Sequence, residues 1–569
     1  MTDQQTLTKM IRAGKGDEPA DLVLKNISML DVISGDITVT DIAIVADRIV
    51  GTHATYAGQK EIDCTGKWAV PGFIDTHLHI ESSLVTPHEF DRCVLPHGVT
   101  SVICDPHEIA NVLGAPGIEY FLQCAEQSIM DIRINLSSCV PATAFETSGA
   151  RLEIDDLLPF AKHSKVIGLA EMMNFPGVIN TDPAIIAKLV AFQEGHMDGH
   201  APLLSGTDLN AYLAAGIRTD HEATTAKEAR EKLSKGMAIL IREGSVSKDL
   251  NALEEIINSD TASFLGLCTD DRNPLDISEE GHLDELIRRL IAKGHAPHLI
   301  YRIASISAAR IFGLKDRGLL APGWRADIAI LDNLETCQVA DVISAGRLVG
   351  PELFETRKDI PLVGLNSMQA KPVPAAAFEM KPLHGKNQMP VIGVKPGLIL
   401  TFKEEATLAV TDKGVQPDLK QDVIKVAVVE RHGINGNIGH GFVTGFGMKS
   451  GAIASSVGHD SHNITVIGTN DQDMAVAVNR LIELKGGFAV ANGGEILAEL
   501  ALPIAGLMSS EPFETVSKTL EHMRDAAHSL GCILPEPFLQ VAFLALPVIP
   551  HLKMTDRGLF DVDKFDFVT

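Results

Sequence analysis

Short apolar runs separated by polar and glycine positions make up most of the first 70 residues of the chain. Three of these runs lie at residues 21–25, 42–45 and 48–50, and Gly35 and Gly51 interrupt the pattern. Apolar or alternating runs bounded by glycine are typical of short β-strands. The pattern therefore predicts a small β-domain at the start of the chain.

After this segment, apolar stretches alternate regularly with stretches of helical periodicity. The run at 68–74 is interpreted as the first buried strand of this region, and helices are predicted at 183–194 and 225–235. The later candidate strands lie at 100–104, 132–136, 166–170, 216–219, 238–241 and 264–268. Such alternation over roughly 250 residues is typical of a parallel (β/α)8 barrel. The predicted fold class is therefore α/β, with the barrel over residues 71–319.

A β-like texture returns after residue 320. We expect residues 1–70 and 320–385 to form one small β-sandwich-like domain, built from both flanks of the barrel. The stretch 371–390, which contains several proline and lysine residues, is predicted to be a linker. A third domain, of α/β type, is predicted over residues 390–569. Its expected strands and helices lie at 423–429, 464–467, 473–484 and 512–529.

Composition narrows the range of partners. Of the 569 residues, 45% are hydrophobic and 22% are charged, which is usual for a folded protein. The 49 basic and 74 acidic side chains give a formal net charge of -25, so attraction to nucleic acid phosphates or anionic membranes is weak. We therefore expect a small-molecule substrate, and neither a nucleic acid nor a membrane partner.

The apolar runs and the cysteines indicate in which cellular compartment the protein is expected. No run is typical of a signal peptide or of a membrane span. The eight cysteines are scattered, without the spacing of a zinc knuckle or a disulfide framework. Several of them, such as Cys104 and Cys268, lie in apolar runs. Buried free thiols are typical of a reducing compartment, so we expect the protein in the cytoplasm.

The first candidate for chemistry is the pair His77 and His79, at the end of the apolar run that begins at Trp68. Side chains two positions apart on an extended chain point to the same side. Two imidazoles on one face can bind one metal ion together. A pair of this kind is a weak motif alone, and surface or hydrogen-bonded core histidines are the alternative interpretation.

Further ionisable residues follow the later candidate strands, at the end where parallel barrels carry their active sites. These residues are Asp105, His107, Glu108, Glu171, His200, His221 and Asp270. Each one alone could be structural, but their repeated placement at the same end of successive strands is hard to attribute to chance. The sequence therefore predicts one site at the carboxyl end of the barrel.

The predicted ligand set consists of four histidines and two carboxylates, which suits borderline divalent ions and does not suit Mg²⁺ or Ca²⁺. We expect two divalent metal ions such as Zn²⁺, Fe²⁺ or Mn²⁺. Glu171 is the candidate bridge between the ions. Asp270 could bind an ion and also accept a proton from water. The expected histidine ligands are His77 and His79 for one ion, and His200 and His221 for the other.

The string Pro71-Gly-Phe-Ile-Asp-Thr-His-Leu-His, followed by single ligands late in later strands, resembles the amidohydrolase superfamily, which are metal-dependent hydrolases. Longer strings resemble the bacterial-type adenine deaminases within it. They begin at His79, Asp105, Pro141, Glu171, Asp198, Thr219, Gly458 and Leu502. The resemblance extends from about residue 20 to the end of the chain. Many amidohydrolases carry a carboxylated lysine where this chain has Glu171, and the resembled deaminases also have glutamate there.

This resemblance implies hydrolytic deamination of adenine to hypoxanthine and ammonia, with a metal-activated hydroxide attacking the carbon that bears the amine. Asp270 would accept the proton of the water and pass it toward the leaving nitrogen. A ring nitrogen must also gain a proton, and Glu108 or His107 are the candidate donors. His107 could instead orient a metal ligand, or a further metal could bind near Asp105. The third domain makes a homo-oligomer plausible, with a dimer favoured.

Candidate substrate contacts lie in the segment 141–149. Thr143, Glu146 and Ser148, together with Asp105, could bind the polar edge of a purine. A capped helix start is the alternative interpretation of the segment.

In the third domain, His459 and His462 could form another metal site. Alternatively, they belong to a loop that closes over the pocket or supports a subunit contact.

Two other functions remain open from the sequence. The first is hydrolysis of a cyclic amide, or deamination of another nucleobase, on the same scaffold. Most cyclic-amide hydrolases carry the bridging lysine, so Glu171 counts against that reading. The second is a non-catalytic, amidohydrolase-like interaction protein. Relatives of that kind lose metal ligands, whereas all six predicted here are present.

Overall fold

The computed structural model describes residues 3–382, 385 and 387–568. The remaining residues, 1, 2, 383, 384, 386 and 569, belong to the predicted small domain, linker and third domain and lie outside the described residues. None of the helices in the described ranges combines the length and the apolar character needed to cross a bilayer.

The amino-terminal segment forms one helix and five strands. They are α1 Gln4–Lys15, β1 Ala20–Leu30, β2 Ile37–Val45, β3 Arg48–Gly51, β4 Gly58–Asp63 and β5 Trp68–Pro71. Helix α1 is not among the sequence predictions. It begins where the Asp3 side chain accepts the N–H of Thr6, and it ends at Gly16, whose φ of 84° is in the left-handed region. Its sequence is mostly polar and contains no apolar run that would predict an element there.

The apolar run at 68–74 contains parts of two strands that belong to different sheets. Its interpretation as one strand is therefore wrong. Strand β5 pairs with β1, whereas the next strand, β6 Phe73–Leu78, starts the barrel. The chain passes between the two sheets at Gly72. A Cβ atom at that position would lie 2.3 Å from the Oγ1 atom of Thr100, so only glycine fits this close approach.

The predicted (β/α)8 barrel is confirmed, with eight parallel strands. They are β6, β7 Val99–Cys104, β8 Asp131–Leu136, β9 Val166–Met172, β10 His196–Gly199, β11 Thr219–Asp220, β12 Ala238–Arg242 and β13 Leu265–Cys268. Strands β6 to β10 form one sheet and β11 to β13 another. The backbone N–H of Arg218 donates to the carbonyl of Met197 (3.2 Å), and that of Asp270 donates to the carbonyl of His77 (3.0 Å). These hydrogen bonds join the two sheets at both seams.

The helices of the barrel region lie between its strands and after the last of them. They are α2 Pro87–Val94, α3 His107–Leu113, α4 Ala115–Gln127, α5 Ile154–Leu157, α6 Phe175–Ile179, α7 Pro183–Phe192, α8 Gly206–Ala214, α9 Ala226–Ser234, α10 Leu250–Leu253, α11 Pro274–Glu279, α12 Leu283–Ala292, α13 Pro297–Arg302 and α14 Ala308–Ile311. One buried cluster combines Ile74, Ile103 and Leu240 with Phe312. Phe312, which follows α14, thus packs against residues of three barrel strands.

After the barrel, the chain returns to the sheet of the amino-terminal segment. Strands β14 Ile328–Asn333, β15 Gln338–Ser344 and β16 Arg347–Leu348 follow. Strand β14 pairs antiparallel with β5, so the sheet has the order β16-β15-β14-β5-β1-β2-β3, with β4 on β1. Segments from both flanks of the barrel therefore share one sheet. A short helix, α15 Pro351–Phe354, follows it.

The carboxyl-terminal part is a separate α/β unit. Its strands are β17 Gln388–Gly393, β18 Phe402–Thr407, β19 Val410–Thr411, β20 Gly414–Val415, β21 Val423–Val429, β22 Ile438–Thr444, β23 Ala452–Ser455, β24 Ile464–Gly468, β25 Gly487–Asn492, β26 Glu495–Ala501, β27 Leu552–Thr555, β28 Gly558–Asp561 and β29 Asp566–Phe567. Its helices are α16 Asp471–Leu484, α17 Phe513–Ser529 and α18 Pro537–Ala542. The main sheet has the order β18-β17-β22-β21-β24-β23-β25-β26.

Candidate functional site

The carboxylate of Glu171, near the end of β9, lies between two pairs of histidines. Its Oε1 atom is 3.6 Å from the Nε2 atom of His77 and 3.4 Å from that of His79. Its Oε2 atom is 2.6 Å from the Nδ1 atom of His200 and 3.3 Å from the Nε2 atom of His221. All five side chains are buried. Each carboxylate oxygen therefore faces its own set of imidazole nitrogens.

Asp270, which follows β13, completes the first set. Its Oδ1 atom is 3.2 Å from the Nε2 atom of His79 and 3.7 Å from that of His77. The guanidinium of Arg242 donates to its other oxygen, Oδ2, at 2.9 Å. Its φ of 55° is in the left-handed region, where a non-glycine residue costs about 1–2 kcal/mol. The structure thus brings all six predicted ligand side chains together.

The first two histidines are oriented by partners at their other ring nitrogens. The Nδ1 atom of His77 is 3.0 Å from the Oδ2 atom of Asp198, and the Nδ1 atom of His79 is 3.0 Å from the backbone carbonyl of Asp105. Contacts of this kind fix the tautomer and turn the opposite nitrogen toward a metal. Both Nε2 atoms consequently face Glu171.

The donor set fits a divalent metal centre. The Nε2 atom of His77 is fully buried without a hydrogen-bond partner in the described part of the chain, as expected of a nitrogen reserved for a metal. Ligand bonds of about 2.1 Å in a tetrahedral site place donor atoms roughly 3.4 Å apart. The distances of 3.2–3.7 Å from His77 and His79 to the Asp270 and Glu171 oxygens match that spacing.

The free ligands form a network of opposite charges. Burial alone lowers the pKa of His77, but its contacts with Asp198 and Glu171 outweigh burial and raise the pKa to about 10. Burial alone raises the pKa of Glu171, but the surrounding histidines, His200 foremost, hold it well below its usual value. The opposite charges of the imidazoles and the carboxylate therefore stabilise one another in this cluster.

Metal binding is expected to release protons, because an imidazole must lose its proton before it binds an ion. A raised histidine pKa means that the proton-bound form persists to higher pH, so metal affinity should fall as the pH is lowered from about 8 to about 6. We expect about a tenfold loss of affinity per pH unit for each proton displaced. Calorimetric titration of the metal-free protein in buffers of different ionisation enthalpy measures the proton count.

The matched control for this titration is His163→Gln, which changes a partly exposed histidine that pairs with Glu126. It should leave both the affinity and the proton count unchanged. A metal affinity independent of pH over the same interval would contradict the prediction.

His107 and Asp105 adjoin the centre. The Nδ1 atom of His107 is 2.9 Å from the Oδ2 atom of Asp105 and 3.3 Å from the Oε1 atom of Glu171. The hydroxyl of Ser137 donates to the other oxygen of Asp105 at 3.1 Å. Because Asp105 contacts these two side chains and does not line the cavity, its geometry favours orienting His107 over contact with the substrate.

Glu108 joins the barrel to the carboxyl-terminal domain. Its Oε1 atom lies 2.5 Å from the Nδ1 atom of His459, and its Oε2 atom contacts the Nε2 atom of His462. Burial alone raises the pKa of Glu108, but the charges of His459, His462 and His107 hold it well below its usual value. Burial alone lowers the pKa of His459, but Glu108 and Asp271 raise it to about 9. Both shifts favour a proton on His459 over a proton on Glu108.

A small cavity opens beside the centre. One wall carries the polar side chains of the barrel, and the carboxyl-terminal domain supplies the other. The lining residues from that domain are Ile399, His459, Asp460, Phe543, Leu546 and Ile549. The rings of His459 and Phe543 are stacked with centroids 4.6 Å apart. This wall is therefore mainly apolar and closes over the metal ligands.

The segment 141–149 lies outside the cavity lining. The hydroxyl of Ser148 donates to the backbone carbonyl of Asn111 at 2.7 Å, and that of Thr143 accepts the N–H of Phe145 at 3.2 Å. The first contact holds the segment on the barrel, the second lies within the segment, and both argue against direct substrate contact by either hydroxyl. Glu146 is buried, and burial together with the charge of Asp460 raises its pKa well above the usual value.

Two residues that the sequence analysis did not single out belong to the centre. The Oε1 atom of Glu222 lies 3.5 Å from the Nε2 atom of His221. The guanidinium of Arg242 contacts both Glu222 and Asp270. Arg242 ends strand β12, so the rule that found the other residues, a charged side chain at a strand end, would have found it too. Glu222 directly follows the predicted ligand His221.

Comparisons with known proteins agree with this architecture. Residues 68–349 match the amidohydrolase family, and residues 398–566 match the adenine deaminase C-terminal domain. Adenine deaminase of Brucella abortus (strain 2308) is 64% identical over 559 residues, which cover 98% of this chain and 96% of that protein. Adenine deaminase 1 of Rhizobium meliloti (strain 1021) is 61% identical over 561 residues, 99% of each chain.

Among solved structures, a crystal structure of an adenine deaminase matches 58% of this chain and 99% of its own, with 17% sequence identity and a TM-score of 0.44. The identity to the curated relatives extends over nearly the whole length of the chain and includes both matched domains. On this basis, the chain belongs to the adenine deaminase family of the amidohydrolases.

Proposed function

We propose that this chain hydrolyses adenine to hypoxanthine and ammonia, a reaction of purine salvage. The observation that carries the proposal is the position of Glu171, whose two oxygens each face a separate pair of histidines. Membership of a family whose curated relatives are named adenine deaminases supports the choice of substrate.

The metal centre proposed for this reaction contains two divalent ions. His77, His79 and Asp270 would hold one ion, and His200 and His221 the other, with Glu171 shared between them. Nitrogen and carboxylate donors accept Mn²⁺, Fe²⁺ and Zn²⁺, and we propose Mn²⁺ or Fe²⁺ as the native ions, with Zn²⁺ as the further option. When bound, such ions lower the pKa of water to about 7 and make hydroxide available at neutral pH.

Asp270 is the proposed base. Burial alone raises its pKa, but contact with His79 and the charge of Arg242 hold the pKa well below the usual value. The carboxylate is therefore ionised and able to accept a proton from water. Because Arg242 binds the Oδ2 atom, the Oδ1 atom remains directed at the histidines of the first set. From this position the proton can pass to the leaving amine.

The pair formed by Glu108 and His459 is the proposed source of the proton for the purine ring. Both side chains line the cavity, and their short contact lets a proton move between them. The Nε2 atom of His107 lies 3.3 Å from the Oε1 atom of Glu108. His107 can therefore return a proton to Glu108 from the side of the candidate metal ligands. Donation to a ring nitrogen makes the attacked carbon more electrophilic, which is the usual task of a general acid in this chemistry.

The decisive experiment is an ammonia-release assay of the metal-replete protein. Adenine should be turned over, whereas guanine, cytosine, dihydroorotate and hydantoin should give rates at least about a hundredfold lower. Discrimination is expected because buried polar groups placed for one base edge are left unpaired by another. A silent reaction with adenine, together with turnover of a cyclic amide, would overturn the proposal.

We further propose a homodimer that resides in the cytoplasm. All eight cysteines are buried and free, as expected under reducing conditions. Two exposed apolar side chains of β2, Ile37 and Val39, are 51% and 68% accessible and provide a candidate subunit contact. Light scattering coupled to gel filtration measures the mass of the particle.

A further inference from the structure

Lys553, on strand β27, is a fully buried cation without an acidic partner. Its side chain is 0% exposed, and no carboxylate of the described residues forms a salt bridge with it. Its Nζ atom donates to the backbone carbonyls of Ile399 (3.0 Å) and Phe543 (2.9 Å). Burial lowers its pKa to about 7. Burying an amine without an acidic partner costs free energy of folding, so a position that retains such an amine calls for an explanation.

The two carbonyls belong to residues that line the active-site cavity. Ile399 lies between strands β17 and β18, and Phe543 begins a short 3₁₀ turn, Phe543–Ala545. In the described part of the chain no other side chain donates to either carbonyl. A single amine therefore joins two segments that are distant in the sequence and that together form the apolar wall of the cavity.

The turn that Lys553 binds also contacts a polar residue of the cavity, His459. The ring of Phe543 stacks on that of His459, with an interplanar angle of 19°. The backbone N–H of His459 donates to the carbonyl of Ala542 at 3.1 Å, directly before Phe543. The position of the 3₁₀ turn thus also sets the position of His459 relative to Glu108.

We propose that Lys553 is a positioning residue for the reaction, which fixes the apolar wall of the carboxyl-terminal domain against the substrate. The inference rests on the proposed function, because adenine is the molecule that this wall would cover. Lys553 itself does not line the cavity and touches no candidate metal ligand. Its effect is therefore expected on substrate binding and hardly at all on the metal centre.

A second buried lysine of the same domain provides a matched comparison. Lys425, on strand β21, is 3% exposed and donates to the backbone carbonyl of Phe378 at 3.0 Å. It also pairs with Asp471, and neither of these partners lines the cavity. Lys425 therefore shares the burial and the carbonyl contact of Lys553 but not the connection to the wall.

The experiment compares Lys553→Met with Lys425→Met as full-length, metal-replete proteins. For Lys553→Met we expect KM for adenine to rise about tenfold or more, kcat to fall by a smaller factor because His459 shifts relative to Glu108, and the metal content to equal that of the wild type. For Lys425→Met we expect a lower melting temperature with unchanged KM and kcat. If Lys553→Met does not fold, Lys553→Gln replaces it under the same criteria, since its shorter amide cannot reach both carbonyls.

The outcomes separate this inference from the proposed function. A wild-type protein that releases no ammonia from adenine would contradict both the inference and the proposed function. An active wild type with an unchanged KM in the folded Lys553 variant would overturn the inference alone, as would equal rises of KM in the Lys553 and Lys425 variants. A rise in KM confined to the Lys553 variant supports it.

Discussion

Replacement of Glu171 by alanine is expected to lower kcat/KM for adenine by about 10³-fold or more and to reduce the bound metal from two equivalents to one or none. Each oxygen of this carboxylate faces a different histidine pair, at 3.4 Å from His79 and 3.3 Å from His221. Its removal takes a ligand from both ions at once and leaves their mutual repulsion uncompensated. Metal analysis of the purified variant, beside steady-state kinetics, measures both effects.

Glu243→Ala is the matched control for this change. Glu243 is also a buried carboxylate next to the end of a barrel strand, 1% exposed, but it binds Arg289 and the N–H of Leu250 and does not line the cavity. The control should lose stability and keep two equivalents of metal. Retention of both ions and of activity within about tenfold in Glu171→Ala would show that the bridge is misassigned.

The regular barrel strands were predictable because buried parallel strands are continuous apolar runs. The strand β10 at His196–Gly199 was missed, since only Met197 in it is apolar and its other positions carry polar residues or glycine. The predicted strand at 216–219 and the observed strand Thr219–Asp220 share one residue, Thr219. Strand β10 differs from the prediction because it carries polar side chains such as Asp198, which orients His77.

The ligand positions were predictable from one geometric rule, that parallel strands bring their carboxyl ends together. Asp198 and Glu222 could not be assigned in this way, because their roles depend on which buried partner each one meets in the folded protein. The pairing of Glu108 with His459 is a further case. A loop that closes over the pocket was one interpretation of the segment around His459, but no pattern along the chain pairs that histidine with Glu108 of the barrel.

Conversion of Asp270 to asparagine is expected to lower kcat for adenine by about 10²- to 10⁴-fold, the range for loss of a positioned general base. The amide has nearly the same size as the carboxylate but cannot accept a proton from water at neutral pH. Its oxygen can accept from Arg242 or face His79, but not both, so weaker binding of the first ion is also expected. Kinetics at saturating metal isolate the loss of the base from the loss of the ion.

Asp249→Asn tests whether that effect arises only from disturbing Arg242. Asp249 accepts from the Nε atom of the same guanidinium at 3.0 Å and does not line the cavity. If Asp270 acts as the base, this control should retain kcat within about tenfold, since it removes a charge from Arg242 without touching the proton path. Equal losses in the two variants would instead assign the effect to Arg242, and Asp270 would then be a ligand whose charge the reaction does not need.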